Sequence, residues 1–224
     1  MKLDVGVLFL IGIPMALVFG MLQVAFWLRW RDRALLWWAS ADGLGTAGVL
    51  LLLSSELHPA WVAARSVAET ALFASGLLLW LGFRCFAGQP LPLRSFAAIT
   101  LAYLAMFQAV RSLVPDLALL IVLASFAHGL LHAGIAFDLA RARLPDPLRV
   151  RALLVLAFAL HALFYLFRSV TAVTVEAGAE FLHTAGLQSA TLLIGMANVL
   201  LWNVAALWMM GERRRGPGAA EAIA

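Results

Sequence analysis

The sequence is poor in charge and in reactive side chains. Charged residues make up 12% of the chain, about half the share usual in soluble domains. Cys85 is the single cysteine, so an internal disulfide is excluded. Lys2 is the only lysine, so no lysine stands in the last apolar run to hold a retinal as a Schiff base. A nucleotide-binding glycine loop and a nucleophile elbow are both missing. These absences remove several enzyme classes before any helix is placed.

What fills the chain instead is apolar. Hydrophobic residues account for 64% of it, more than a globule of this size can bury, so lipid has to cover much of that surface. Seven runs have the length that crossing the hydrocarbon requires, about 20 residues at 1.5 Å each. They are 5–28, 34–54, 60–83, 95–113, 117–139, 150–173 and 185–210. Polar or proline-rich breaks separate them: Arg29–Arg33, Glu56–Pro59, Gly88–Pro92, Pro115–Asp116 and Leu144–Pro147. The first run outlasts a signal-peptide core of about 7–15 residues, and Asp4 spoils a basic leader, so it is expected to remain as a span. The fold class is therefore all-α: a polytopic bundle of seven transmembrane helices over 1–210, with a short, basic, disordered tail over 211–224.

The basic residues set a direction. The breaks after runs one, three and five, together with the tail, hold twelve arginines, and the other side holds only Lys2, Arg65, Arg111 and Arg168. That bias predicts an outer N-terminus and a cytoplasmic C-terminus. Trp27, Trp30, Trp37 and Trp38 fall where an inner aromatic belt is expected. The net charge of +4 reads as topology and headgroup contact, and no nucleic-acid partner is expected.

An ionisable side chain inside a span is costly, and by default it marks a function. Glu69, about ten residues into run three, is expected near the midplane, about 15 Å deep. His128, His161 and Asn198 fall in the same layer, while Asp42 lies nearer the cytoplasmic side. Arg65 and Glu69 are four apart and pair along one helix face. His128 and His132 share a face in the same way. Three readings of the histidines stay open. They are interhelical hydrogen-bond partners, a haem or transition-metal site built from His128, His132 and His161, or a ligand- or proton-sensing cluster with Glu69, Arg65, Asn198 and Asp42. The His128/His132 pair lacks the other Ser, His and Asp ligands expected of seven-helix zinc hydrolases. Glu176, Glu180 and His183, with Glu56 and His58, suit either a surface cation or simply a solvated turn. The small residues from Ala41 to Gly48 allow close helix approach, and Pro14 is expected to kink helix one.

Four stretches resemble the membrane-embedded N-terminal region of bacterial diguanylate cyclases. They are Trp37–Gly45, Pro59–Trp61, Gly82–Pro90 and His161–Ser169. The resemblance implies a sensing region of the bacterial inner membrane that works through its last helix. It also implies roles for Arg84 and Gly88 at a cytoplasmic turn and for Arg168 at the outer end of helix six. No GGDEF segment follows Met210 in this sequence, so cyclic di-GMP synthesis is not carried over. The expectation is a non-catalytic sensor or scaffold subunit that acts by helix contacts with a protein partner or a second copy, with Arg213, Arg214 and Arg215 in coupling. The alternatives are a haem- or metal-binding membrane protein, and a carrier or enzyme for a lipid-like substrate with Glu69 as proton acceptor.

Overall fold

A computed structural model describes residues 5–57, 64–114, 117–142, 148–174 and 185–215. Among them there are seven helices and no strand: α1 (Val5–Trp30), α2 (Arg33–Leu57), α3 (Ala64–Phe86), α4 (Leu93–Leu113), α5 (Leu117–Arg141), α6 (Leu148–Thr174) and α7 (Ala185–Arg215). All seven are long and apolar enough to cross a membrane. Helix α1 continues unbroken through Pro14.

The ends of the helices follow from local chemistry. Helix α1 closes on Arg31, which takes a left-handed backbone (φ 56°) while its N–H donates to the Trp27 carbonyl at 2.7 Å. That conformation costs a non-glycine residue about 1–2 kcal/mol. Asp32 then caps α2, its Oδ1 accepting from the Ala34 N–H at 3.0 Å. Helix α3 ends in a paired cap: the Gln89 N–H reaches Arg84 O (2.9 Å) and the Gly88 N–H reaches Cys85 O (3.1 Å). Gly88 sits in the left-handed region (φ 67°), which only glycine enters without strain. Val114 is extended (φ −135°, ψ 86°), as the residue before a proline must be.

Helices α1, α2, α3, α5, α6 and α7 pack in a closed circuit, α7 returning to α1, and α4 lies against α3 and α5. The tightest seams are α2 with α3 and α5 with α6. Small residues make the first seam possible. A Cβ on Gly45 would stand 2.9 Å from Ser75 Oγ, and that hydroxyl donates to the Ala41 carbonyl at 2.8 Å. Gly82 leaves the notch that Trp38 fills. Trp38 is fully buried against Phe83 and Phe86, so it belongs to the core and not to an interfacial belt. Large apolar side chains such as Met21, Leu101, Leu163 and Val170 point outward, and a lipid bilayer is the surrounding that suits them.

One end of the bundle gathers the basic residues. The Arg84 guanidinium bonds Asp138 Oδ2 at 2.7 Å, joining the ends of α3 and α5, and the Trp80 indole donates to the same oxygen at 2.8 Å. Arg213 reaches Asp32 Oδ2 and the Phe86 carbonyl, each at 3.4 Å, and Arg214 donates to the Trp30 carbonyl at 2.8 Å. Helix α7 therefore runs on to Arg215, five residues past the end of its apolar run. The part of the expected tail that begins at Gly211 is helical because these docking contacts hold it.

Candidate functional site

The polar residues singled out in the spans fall into two groups. The larger lies between α5 and α6, with α3, α4 and α7 closing around it. His128 and His132 sit one turn apart on α5, and each ties its Nδ1–H to the carbonyl one turn back, at Ala124 (2.8 Å) and His128 (2.7 Å). That use of Nδ1 fixes the tautomer and leaves Nε2 as the outward-facing nitrogen. From α6, His161 stacks on His132 with ring centroids 4.3 Å apart and planes 9° from parallel. Tyr165, one turn further along α6, stacks on both His161 (4.9 Å) and His128 (5.3 Å). Four rings thus form a continuous pile across the α5–α6 seam.

Aromatic side chains wall the pile off. Phe73 of α3 stacks on Tyr103 of α4 (4.3 Å) and meets His128 edge-on. Phe158 lies over His132 from the other end. His128, His132 and His161 are all buried. Inside this dry setting the Ser125 and Tyr103 hydroxyls have no partner, while the Asn198 side chain of α7 bears on His161. A buried polar atom without a partner costs about 1–3 kcal/mol, so the cluster carries polar capacity that packing alone does not use.

Glu69 stands at the rim of this group. Arg65, one turn away on α3, and Arg168 of α6 are the cations whose fields reach it, and Tyr103 and Tyr165 feel its charge in turn. The i, i+4 relation of Arg65 and Glu69 is therefore an electrostatic one as well. Within the described α3, which starts at Ala64, Glu69 lies about 8 Å along the helix axis from that end.

Asp42 belongs to the second group. Its neighbour Ala41 accepts from the Ser75 hydroxyl of α3 at 2.8 Å. Its partners are Asn203 of α7 and, through it, Gln23 of α1. Helix α7 links the two groups, with Asn198 turned to the histidines and Asn203 to Asp42. Gln23, Asn203, Tyr165 and Asp138 did not stand out in the sequence. Asp138 was the one with a signal: a lone carboxylate three residues before Arg141, at the end of an apolar run.

The metal or haem reading of His128, His132 and His161 finds little support in this geometry. Ring lone pairs lie in the ring plane, so His132 and His161, stacked nearly parallel, send theirs side by side and not to one point. Among the described residues no three His, Cys, Asp or Glu side chains converge as a metal set. Of the outer constellation, His58, Glu176, Glu180 and His183 lie outside the described residues, as does the side chain of Glu56. Arg84 and Gly88 sit together at the α3 cap. Arg213 and Arg214 dock on Asp32 and on the ends of α3 and α1, and Arg215 is the last residue of α7.

What the fold and the polar interior define is a class: an all-helical, multi-pass membrane bundle whose apolar core holds two groups of buried polar side chains. Among known proteins, the chain matches no family model, no curated sequence and no solved structure.

Proposed function

We propose that this protein is a non-catalytic integral membrane sensor or signalling subunit of a bacterial inner membrane. In this reading the signal is registered in the His128–Tyr165–His161–His132 pile and passed along α7 to the basic end of the bundle, where a protein partner or a second copy is engaged. The observation that carries the reading is the pile itself. It lies in the contact between α5 and α6, it buries three imidazoles, and the Asn198 side chain of α7 bears on His161. A proton or a small polar ligand that changes the charge or hydrogen bonding of one ring alters the packing of two helices at once. The likeness of Trp37–Gly45, Gly82–Pro90 and His161–Ser169 to the membrane region of diguanylate cyclases also favours sensing over catalysis. The arginine asymmetry favours a cytoplasmic basic end, facing soluble partners.

The test is a distance measurement between spin labels in nanodiscs. Labels replace Leu130 on α5 and Leu163 on α6, both of which face outward, in a Cys85→Ser background. Between pH 8 and pH 5 the α5–α6 distance is expected to change by about 1–2 Å, the scale of a helix shift. The same labels in a His132→Phe/His161→Phe background should show no change. A wild-type distance that ignores pH and candidate polar ligands alike, or a double variant that moves as the wild type does, overturns the reading.

A further inference from the structure

The second polar group contains a mismatch that a single proton removes. Gln23, Asp42 and Asn203 come from α1, α2 and α7 and are 0%, 5% and 0% exposed. The Asn203 Nδ2 donates to the Val199 carbonyl at 3.0 Å and to Asp42 Oδ1 at 3.4 Å. The carbonyl can only accept, so it fixes which end of the Asn203 amide is nitrogen. Asn203 Oδ1 therefore faces Gln23, whose Nε2 donates to it. Both amide orientations are settled by that one backbone oxygen. They leave Gln23 Oε1 and Asp42 Oδ2 buried with no hydrogen-bond partner.

If Asp42 is an anion, these two atoms are both acceptors and nothing satisfies either. Every side chain that packs on this point is uncharged. Helix α1 supplies Gln23 and the close approach of Gly20 to the Asp42 Cβ, and α7 supplies Asn203. Helix α3 supplies Ser75, already committed to the Ala41 carbonyl. One turn along α2 stands Thr46, buried and with its hydroxyl unpartnered. An isolated carboxylate in such surroundings is prohibitively costly, whereas a neutral acid that donates a hydrogen bond is not.

The structure assigns a proton to Asp42: its carboxyl O–H donates to Gln23 Oε1 and closes a three-membered ring of hydrogen bonds joining α1, α2 and α7. Gln23 donates to Asn203, Asn203 donates to Asp42, and Asp42 donates back to Gln23. Asp42 is thus a proton-binding site buried inside the bundle, and its proton staples the first, second and last helices together. Removing the proton leaves both oxygens as buried acceptors without a donor and frees α7 to move. The proton on Asp42 does not depend on the sensing role proposed for the histidine pile, since its residues are different ones and the test reads Asp42 alone.

Infrared difference spectroscopy on the full-length protein in nanodiscs reads the proton directly. A protonated-carboxyl C=O band that shifts in D2O is expected in wild type and absent from Asp42→Asn. Stability supplies a second readout, because an amide N–H at position 42 mimics the acid's O–H. Asp42→Asn should melt within about 2 °C of wild type and keep its Tm as pH rises, while Asp42→Ala should lose about 4–8 °C. Wild type should lose stability once the pH is high enough to remove the band. Absence of the band overturns the assignment. So does an Asp42→Asn variant as unstable as Asp42→Ala. A wild-type Tm that rises with NaCl and not with choline chloride, with no carboxyl band, overturns it in favour of a bound sodium ion.

Discussion

Single residues at the basic end of the bundle carry more than their share of the packing. Asp138 satisfies both the Arg84 guanidinium and the Trp80 indole with one oxygen, and the ion pair is only about one-fifth exposed (20% and 23%). Asp138→Leu would leave two donors without an acceptor, at a cost of about 1–3 kcal/mol. The double variant Arg84→Met/Asp138→Leu removes a donor as well as the acceptor, so its Tm is expected to lie above that of Asp138→Leu alone. Equal or lower stability in the double variant would show that packing, and not pairing, holds this corner. Gly82 is the second sensitive position. A Cβ there would come within 2.2 Å of Trp38 Cδ1, and the indole, held between Phe83 and Phe86, has nowhere to go. Gly82→Ala should cost about 1–3 kcal/mol by overpacking, and Trp38→Leu in the same chain should recover part of that loss.

At the scale of helices, Asp32 does two things. It caps α2 through the Ala34 N–H and receives Arg213 from the end of α7. Asp32→Ala should cost about 0.5–2 kcal/mol for the cap. It should also raise amide hydrogen exchange over residues 207–215, where α7 loses an anchor. Protection there that matches wild type would place the anchor on the Phe86 and Trp30 carbonyls instead. The same contacts explain what the sequence could and could not disclose. Each span was legible because about 20 apolar residues between charged or proline-rich breaks admit one reading. The end of α7 was not, because Arg213 and Arg214 look like a solvated tail until carbonyls from two other helix ends are brought beside them. The interior followed the same logic. His128, His161 and Glu69 were visible because an ionisable group in a span is rare. Gln23 and Asn203 carry no charge, and only the crossing of α1, α2 and α7 brings them into one hydrogen-bonded chain with Asp42. Trp38 went the other way, since its position in the sequence suits an interface and Gly82 draws it into the core.

The whole molecule presents an end-to-end asymmetry that the arginine tally turns into a direction. The ends of α1, α3, α5 and α7 come together at the face that holds Asp32, Arg84, Asp138, Arg213 and Arg214. The positive-inside tendency makes a cytoplasmic placement of that face the expectation to test. Helix α4 is the best element for testing this, because it lies at the periphery with Arg94 and Leu113 exposed near its two ends. Those two positions are about 28 Å apart along the helix axis, enough to separate the two membrane surfaces. In a Cys85→Ser background, Arg94→Cys removes one of the twelve arginines on the arginine-rich side and leaves the bias intact. An impermeant maleimide should label Arg94→Cys only in inside-out vesicles and Leu113→Cys only in right-side-out vesicles. Labelling with the two vesicle types exchanged would reverse the orientation and put the basic face outside. Labelling of both positions from one side would mean that α4 does not cross the bilayer, and the seven-span topology would fail with it.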